Sequence, residues 1–252
     1  MRAKLLFFAM LASLGCLLFT TALEVCTAAR FFKVLTSTLF ILTAVAGFQK
    51  SRVNKRYFML IFTGLIFSLL GDVCLSLTEY EHMFDFGFFS FLIAQGIYIA
   101  AFCLLSKIKP VDFLVMLIFC IPTLGVIYSF DGFVFDGMRP LVTAYTIMIS
   151  FMCSKAVSLK RADGMGRTAF ILTAAGAILF FISDFILMFD LYYTARLSAA
   201  KYMNLTTYYT GQGLISLSLL YYTGKSSGVN ALASRKNRSK TLVTANKQAN
   251  SD

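Results

Sequence analysis

Two aspartates occupy nearly the same local sequence at two places in the chain. Asp72 lies in Gly64-Leu65-Ile66-Phe67-Ser68-Leu69-Leu70-Gly71-Asp72-Val73-Cys74-Leu75, and Asp184 in Gly176-Ala177-Ile178-Leu179-Phe180-Phe181-Ile182-Ser183-Asp184-Phe185-Ile186-Leu187. Each has Gly eight residues before it, a small residue immediately before it and Leu three residues after it. One apolar stretch later each is followed by Gln-Gly, at Gln95-Gly96 and Gln212-Gly213. Both carboxyls sit inside apolar sequence, where an ionisable group costs roughly 2.5 to 3.5 kcal/mol on insertion scales and marks a functional site by default. Two carboxyls sharing one apolar site tend to divide their roles, one giving a proton and the other holding charge. That arrangement suits acid-base hydrolysis, and equally the proton carriers of a transporter. The bland reading is a pair of structural aspartates bonded across helices, which a duplication would also preserve.

Other polar residues fall around the pair. Gly64, Ser68 and Asp72 recur at intervals of four, a small polar stripe that must face another helix. Lys33 and Arg139 open the second and sixth apolar stretches, either as cations reaching for the interface or as a phosphate clamp above a cavity. His82 is the single histidine and shares a charged loop with Glu79, Glu81 and Asp85. A Ser-His-Asp arrangement therefore has no histidine at membrane depth. Five cysteines lie inside apolar runs and Cys26 at the edge of one, with no paired spacing, so no disulfide framework, metal site or other cofactor is expected.

The elements that position these residues follow from composition. Of 252 residues, 58% are hydrophobic and 14% charged, with mean hydropathy +0.76. An average soluble domain carries about a quarter charged residues, so a water-soluble domain is excluded. The net charge of +11 does not indicate a nucleic-acid binder, because no polar stretch is long enough to gather the cations on a folded surface. An all-α integral membrane protein remains. A bilayer core of about 30 Å needs roughly 20 apolar residues per helix, and eight stretches qualify: 4–23, 31–48, 57–77, 86–106, 111–129, 139–159, 168–190 and 203–223. Repeat halves of 1–106 and 107–223 predict a 4+4 bundle with a parallel repeat. The expected depth of both aspartates is the outer half of the bilayer, five or six residues from the outer helix ends. The segment 224–252 is rich in Ser, Asn, Lys and Arg and reads as a basic disordered tail.

With the N-terminus inside and eight crossings, only Arg30, Lys33, Arg139, Arg196 and Lys201 of the 23 cations fall outside. Acidic residues cluster there instead, which supports an N-in, C-in topology. The alternative is that Arg2 and Lys4 open a signal peptide cleaved near Ala22, leaving seven helices in the same orientation.

The run Leu70-Gly71-Asp72, the segment from Phe88 through Gln95 and Tyr98 to Phe102, the stretch Gly176 to Asp184, and Tyr208-Tyr209-Thr210-Gly211-Gln212-Gly213-Leu214-Ile215 together resemble the YhhN-like family, the lysoplasmalogenases. The resemblance covers helices 2 to 8 in order, with Lys33 and the stretch from Arg139-Pro140 to Tyr145 where the family has similar residues. It implies an eight-helix membrane enzyme that hydrolyses the vinyl ether bond of lysoplasmalogens to a fatty aldehyde and a glycerophospho-alcohol, without a metal. Asp72 and Asp184 match the acidic positions and would be catalytic. Lys33, Gln95, Tyr98, Arg139, Tyr145 and Gln212 would contact substrate. In one departure Gln95 stands where the family has His in a His-x-x-Tyr pattern, and Gln cannot transfer a proton near neutral pH.

Vinyl ether hydrolysis protonates the alkene carbon, passes through an oxocarbenium ion and collapses through a hemiacetal. It needs an acid and a carboxylate, which one aspartate pair can supply. The expected partners are a lysophospholipid substrate and membrane lipid, in the cell membrane if the chain is bacterial. The lysolipid chain is expected between helices 3, 4, 7 and 8. The competing readings are a proton-coupled transporter of a small or lipid substrate, a lipid-binding scaffold, and an intramembrane aspartyl protease. Leu69 argues against the protease, since a Gly-x-Gly-Asp motif needs glycine there.

Overall fold

The computed structural model describes residues 1–51, 53–162, 164–195 and 197–223, so the expected tail lies outside the described residues. These form eight α-helices: α1 Arg2–Ala22, α2 Cys26–Lys50, α3 Lys55–Cys74, α4 Met83–Leu105, α5 Pro110–Ser129, α6 Arg139–Ser158, α7 Arg167–Tyr192 and α8 Ala200–Ser218. Single 3-10 turns follow α6 and α8. No strand occurs among the described residues.

Charged and turn-forming residues break the apolar runs. Asn54 caps α3 by accepting the Arg56 N–H at 2.9 Å, and Pro110 and Pro140 stand at the starts of α5 and α6, where a missing N–H costs nothing. The 130–138 loop turns at Gly132, whose φ of +94° is open to glycine at no steric cost. A Cβ there would also press on the Tyr193 ring, so the loop can lie flat on the end of α7. Backbone bonds from Val134 N to Tyr192 O and from Thr194 N to Gly132 O hold it there, each 2.9 Å.

Seven helices, α1 to α7, are long and apolar enough to cross a membrane. Their outward faces carry bare Phe8, Leu114 and Ile118, the reverse of a soluble surface. The protein is a multi-pass helical membrane protein. The expectation of eight apolar spans needs one correction: α8 falls short, because Asn204, Thr206, Thr207, Gln212 and Ser216 interrupt its apolar character. It lies against α7, α2 and α1 and buries Tyr208, Tyr209, Gln212 and Ser216 among them. Contact with protein takes the place of lipid solubility.

The helices α2, α3, α4, α6, α7 and α8 form a closed circuit of neighbours, each packed on the next and α8 returning to α2. α1 packs outside against α2 and α8, and α5 outside against α6. α7 and α8 approach backbone to backbone: a Cβ on Gly176 would sit 2.6 Å from the Gly211 carbonyl oxygen. The corresponding Gly64 instead leaves room for the Tyr98 ring, which a Cβ would meet at 2.5 Å.

Two helix limits differ from expectation in ways that matter. α2 begins at Cys26, so Arg30 and Lys33 lie within it, and Arg30 pairs with Glu79 of the α3–α4 loop at 2.7 Å. α3 ends at Cys74, so Asp72 stands in its last turn, whereas α7 runs on for two further turns past Asp184 to Tyr192. Asp72 and Asp184 are therefore not equidistant from the ends of their helices.

Candidate functional site

Asp72 is 2% exposed. Its Oδ2 accepts the Ser37 hydroxyl of α2 at 2.6 Å and the Tyr208 hydroxyl of α8 at 2.9 Å. Ser37 has no apparent chemistry in the sequence, because a helical serine normally bonds back to the preceding turn, as this one also does to the Lys33 carbonyl at 3.0 Å. Tyr209 donates to that same carbonyl at 3.3 Å. Three hydroxyls thus tie α2, α3 and α8 together around the Lys33–Ser37 turn of α2.

Asp184 is held by the other half of the circuit. Its Oδ2 accepts the Tyr145 hydroxyl of α6 at 2.5 Å and the Gln95 amide of α4 at 3.3 Å. Ser183 donates to Oδ1 at 3.1 Å, while Asn204 of α8 donates to the Ser183 carbonyl at 2.8 Å. Each aspartate is therefore gripped by the helix before its own and by the last helix of the opposite half. Hydrogen bonds of this kind to a charged acceptor contribute about 1.5–3 kcal/mol, enough to fix a carboxyl in one orientation.

Both aspartates line one cavity of about 250 Å³. It lies at the end of the bundle where α3 passes into α4 and α7 into α8. Its polar wall also includes Lys33, Tyr145, Asp190, Lys201, Asn204 and Tyr208, and its apolar wall includes Leu75, Phe84, Phe91, Leu187 and Leu191. A narrow apolar branch of about 60 Å³ leads away past Asp184, between Phe88 of α4, Val142 of α6 and Met188 of α7. Asp184 and Tyr145 line this branch; Asp72, Lys33 and Lys201 do not.

The remaining residues singled out in the sequence fall in two places. Tyr98 donates to Gln212 Oε1 at 2.8 Å and Gln212 Nε2 donates to Ser68 at 3.2 Å, a fully buried chain linking α4, α8 and α3 behind the cavity wall. This chain is where the stripe of Gly64, Ser68 and Asp72 faces its neighbours. Arg139 is elsewhere: its guanidinium lies 5.8 Å from the Tyr128 ring and 5.2 Å from the Phe135 ring, and it is absent from the cavity wall. His82 is exposed beside Glu81 and Asp85.

Residues missed in the sequence are Ser37, Asp190, Lys201, Asn204 and Tyr208. A signal existed for one relationship. Tyr145 precedes Asp184 by 39 residues, the interval that also separates Lys33 from Asp72. Counting back from the aspartates pairs Lys33 with Tyr145, not with Arg139, and both members of that pair reach the cavity.

The arrangement places three carboxyls, two phenols and two ammonium groups around a space with an apolar outlet. It can bind an anionic amphiphile and move protons within it. No solved structure matches the chain. The YhhN family model matches residues 28–219, from the start of α2 through α8, and the protein belongs to that family.

Proposed function

We propose that the protein is a lysoplasmalogenase-type membrane hydrolase, which cleaves the vinyl ether bond of a lysoplasmalogen to a fatty aldehyde and a glycerophospho-alcohol. The observation that carries this reading is the meeting of Asp72 and Asp184 in one cavity with ammonium groups on one side and an apolar branch on the other. A lysophospholipid has that same division into phosphate and chain. The two aspartates are the acid and the charge-stabilising carboxylate, and Lys33 meets the headgroup phosphate. Gln95 and Tyr145 act on the substrate through Asp184, which they orient, whereas Tyr98 and Gln212 brace the wall.

The same reading includes a 4+4 parallel repeat with both termini inside. The neighbour relations support it: α1 on α2, α2 on α3, α3 on α4 and α8 on α2 recur as α5 on α6, α6 on α7, α7 on α8 and α4 on α6. The membrane is the cell membrane where the host is a bacterium.

The purified protein, incubated with a lysoplasmalogen, should release long-chain aldehyde detectable by mass spectrometry, and Asp72→Asn or Asp184→Asn should cut the release to a small residual rate while leaving the protein folded. Retained release in both variants removes the mechanism. Substrate-dependent proton flux in liposomes without aldehyde would place the protein among transporters instead.

A further inference from the structure

The two halves hold their aspartates alike but cover them differently. On α2, Lys33 stands one turn before Ser37, the residue that bonds Asp72. On α8, Lys201 stands two turns before Tyr208, the other residue that bonds Asp72. Both lysines line the cavity. The turns that precede the residues holding Asp184 are apolar: on α6 Val142 lies one turn before Tyr145, and on α4 Phe91 and Phe88 lie one and two turns before Gln95. These three line the apolar branch. The cavity thus has its two lysines on the helices that hold Asp72, giving a cationic lobe there, and an apolar branch beside Asp184, giving a hydrocarbon lobe, with Asp190 of α7 as a third carboxyl in the shared wall.

A lysoplasmalogen is polar in the same sense along its length, with phosphate and glycerol on one side of the vinyl ether and alkyl chain on the other. Within the hydrolase reading, on which this inference rests, only one orientation satisfies both lobes. Phosphate lies at Lys33 and Lys201, and the alkyl chain leaves past Phe88, Val142 and Met188, between α4, α6 and α7. The alkene carbon that accepts the proton is the chain-side carbon, and the ether oxygen faces the glycerol.

We propose that Asp184 is the acid that protonates the chain-side alkene carbon, and that Asp72 is the carboxylate that stabilises the oxocarbenium ion and activates water on the headgroup side. The Asp184 proton forms the new C–H bond with the alkene π pair, leaving the positive charge on the ether-bearing carbon and oxygen. Water attacks that carbon and gives a proton to Asp72, forming the hemiacetal. On collapse the bond from carbon to glycerol oxygen breaks, Asp72 returns its proton to that oxygen, and the hemiacetal hydroxyl proton restores Asp184. Water is the only co-reactant, and both carboxyls end as they began.

Gln95 fits an acid that cycles. Its Nε2 donates to Asp184 Oδ2, while its buried Oε1 has no hydrogen-bond partner. An amide can present either end: Nε2–H to the carboxylate, Oε1 to the carboxylic acid. A histidine is not needed at this position if its neighbour carries the proton.

The orientation is tested with a non-cleavable, saturated alkyl-ether lysophospholipid bearing a diazirine near the ether end of its chain, photolysed on the full-length protein and mapped by peptide mass spectrometry. Labelling of Phe88, Val142 or Met188, competed away by the unlabelled ether lipid, is the expected result. Competable labelling on the Lys33 and Lys201 side, or none in either lobe, overturns the assignment. Residual turnover in D₂O gives a second reading: Asp72→Asn should still deliver deuterium to one face of the chain-side carbon, and Asp184→Asn should lose that facial selectivity. The reverse pattern overturns the roles. Aldehyde release by the unsubstituted protein combined with reversed labelling leaves the hydrolase reading standing and this inference refuted; absence of aldehyde release refutes both.

Discussion

The Tyr145 hydroxyl donates to Asp184 Oδ2 at 2.5 Å, from a helix that also walls the apolar branch of the cavity. A phenol so placed holds Oδ2 still, while Oδ1 takes the neighbouring Ser183 hydroxyl. Tyr145→Phe removes the bond and little volume. Hydrogen bonds to charged groups contribute about 1.5–3 kcal/mol, so aldehyde release should fall by about ten- to a hundredfold in kcat, with KM nearly unchanged. A change confined to KM would mean that Tyr145 binds substrate and does not position Asp184.

Lys33 and Arg139 should separate cleanly. Lys33 lines the cavity, and Lys33→Ala should raise KM for a lysophospholipid by about tenfold, equivalent to about 1.4 kcal/mol. Arg139 lies over Tyr128 and Phe135, so Arg139→Ala should leave KM alone and lower stability by about 0.5–1 kcal/mol, the range of exposed cation–π contacts. Steady-state kinetics with thermal unfolding of each variant distinguishes the two.

Away from the site, Lys155 and Asp112 form a buried ion pair at 2.8 Å, with Lys155 also donating to the Ser106 and Lys107 carbonyls at 2.9 and 3.2 Å. The ammonium thereby caps the end of α4 while anchoring the start of α5 to α6. Lys155→Met leaves a buried carboxylate unpaired and should cost about 3–5 kcal/mol, whereas adding Asp112→Leu should recover much of the loss. Unfolding midpoints of the two variants check the difference; equal midpoints would show that the pair is not isolated from water.

At the α7–α8 contact, Gly176→Ala would push a methyl group into the Gly211 carbonyl. Backbone cannot yield as a side chain can, so the expected cost is about 1–3 kcal/mol. In Gly64→Ala the obstacle is the Tyr98 ring, whose displacement would break its bond to Gln212. Thermal unfolding in detergent reads both, and a neutral Gly176→Ala would show that the helices stand further apart.

The duplicated Gly-to-Asp segments made the aspartate pair legible, because a costly residue repeated in one setting is conspicuous in apolar sequence. The helices themselves were visible within a few residues for the same reason of hydropathy. Ser37, Lys201 and Tyr208 were not legible, since a hydroxyl or an interface lysine on a helix looks the same whether or not it faces a site. Their roles depend on α8 closing the circuit against α2, a pairing between distant parts of the chain that local pattern does not carry. Arg139 misled for a related reason: its place at a helix start resembled that of Lys33, but α2 extends beyond its apolar run to Cys26 and moves Lys33 inward, whereas Arg139 is the first residue of α6.

The polarity of α8 bears on biosynthesis. Helices α1 to α7 have the hydropathy to leave the translocation machinery for lipid one at a time, but α8 gains little from hydrocarbon and must wait for the faces of α7, α2 and α1. Tyr208, Asn204 and Lys201 travel with it. Until this last segment docks, Asp72 lacks one of its two hydroxyl donors and the cationic lobe is half built, so a nascent chain can be threaded through the membrane before the cavity around its carboxyl pair is complete.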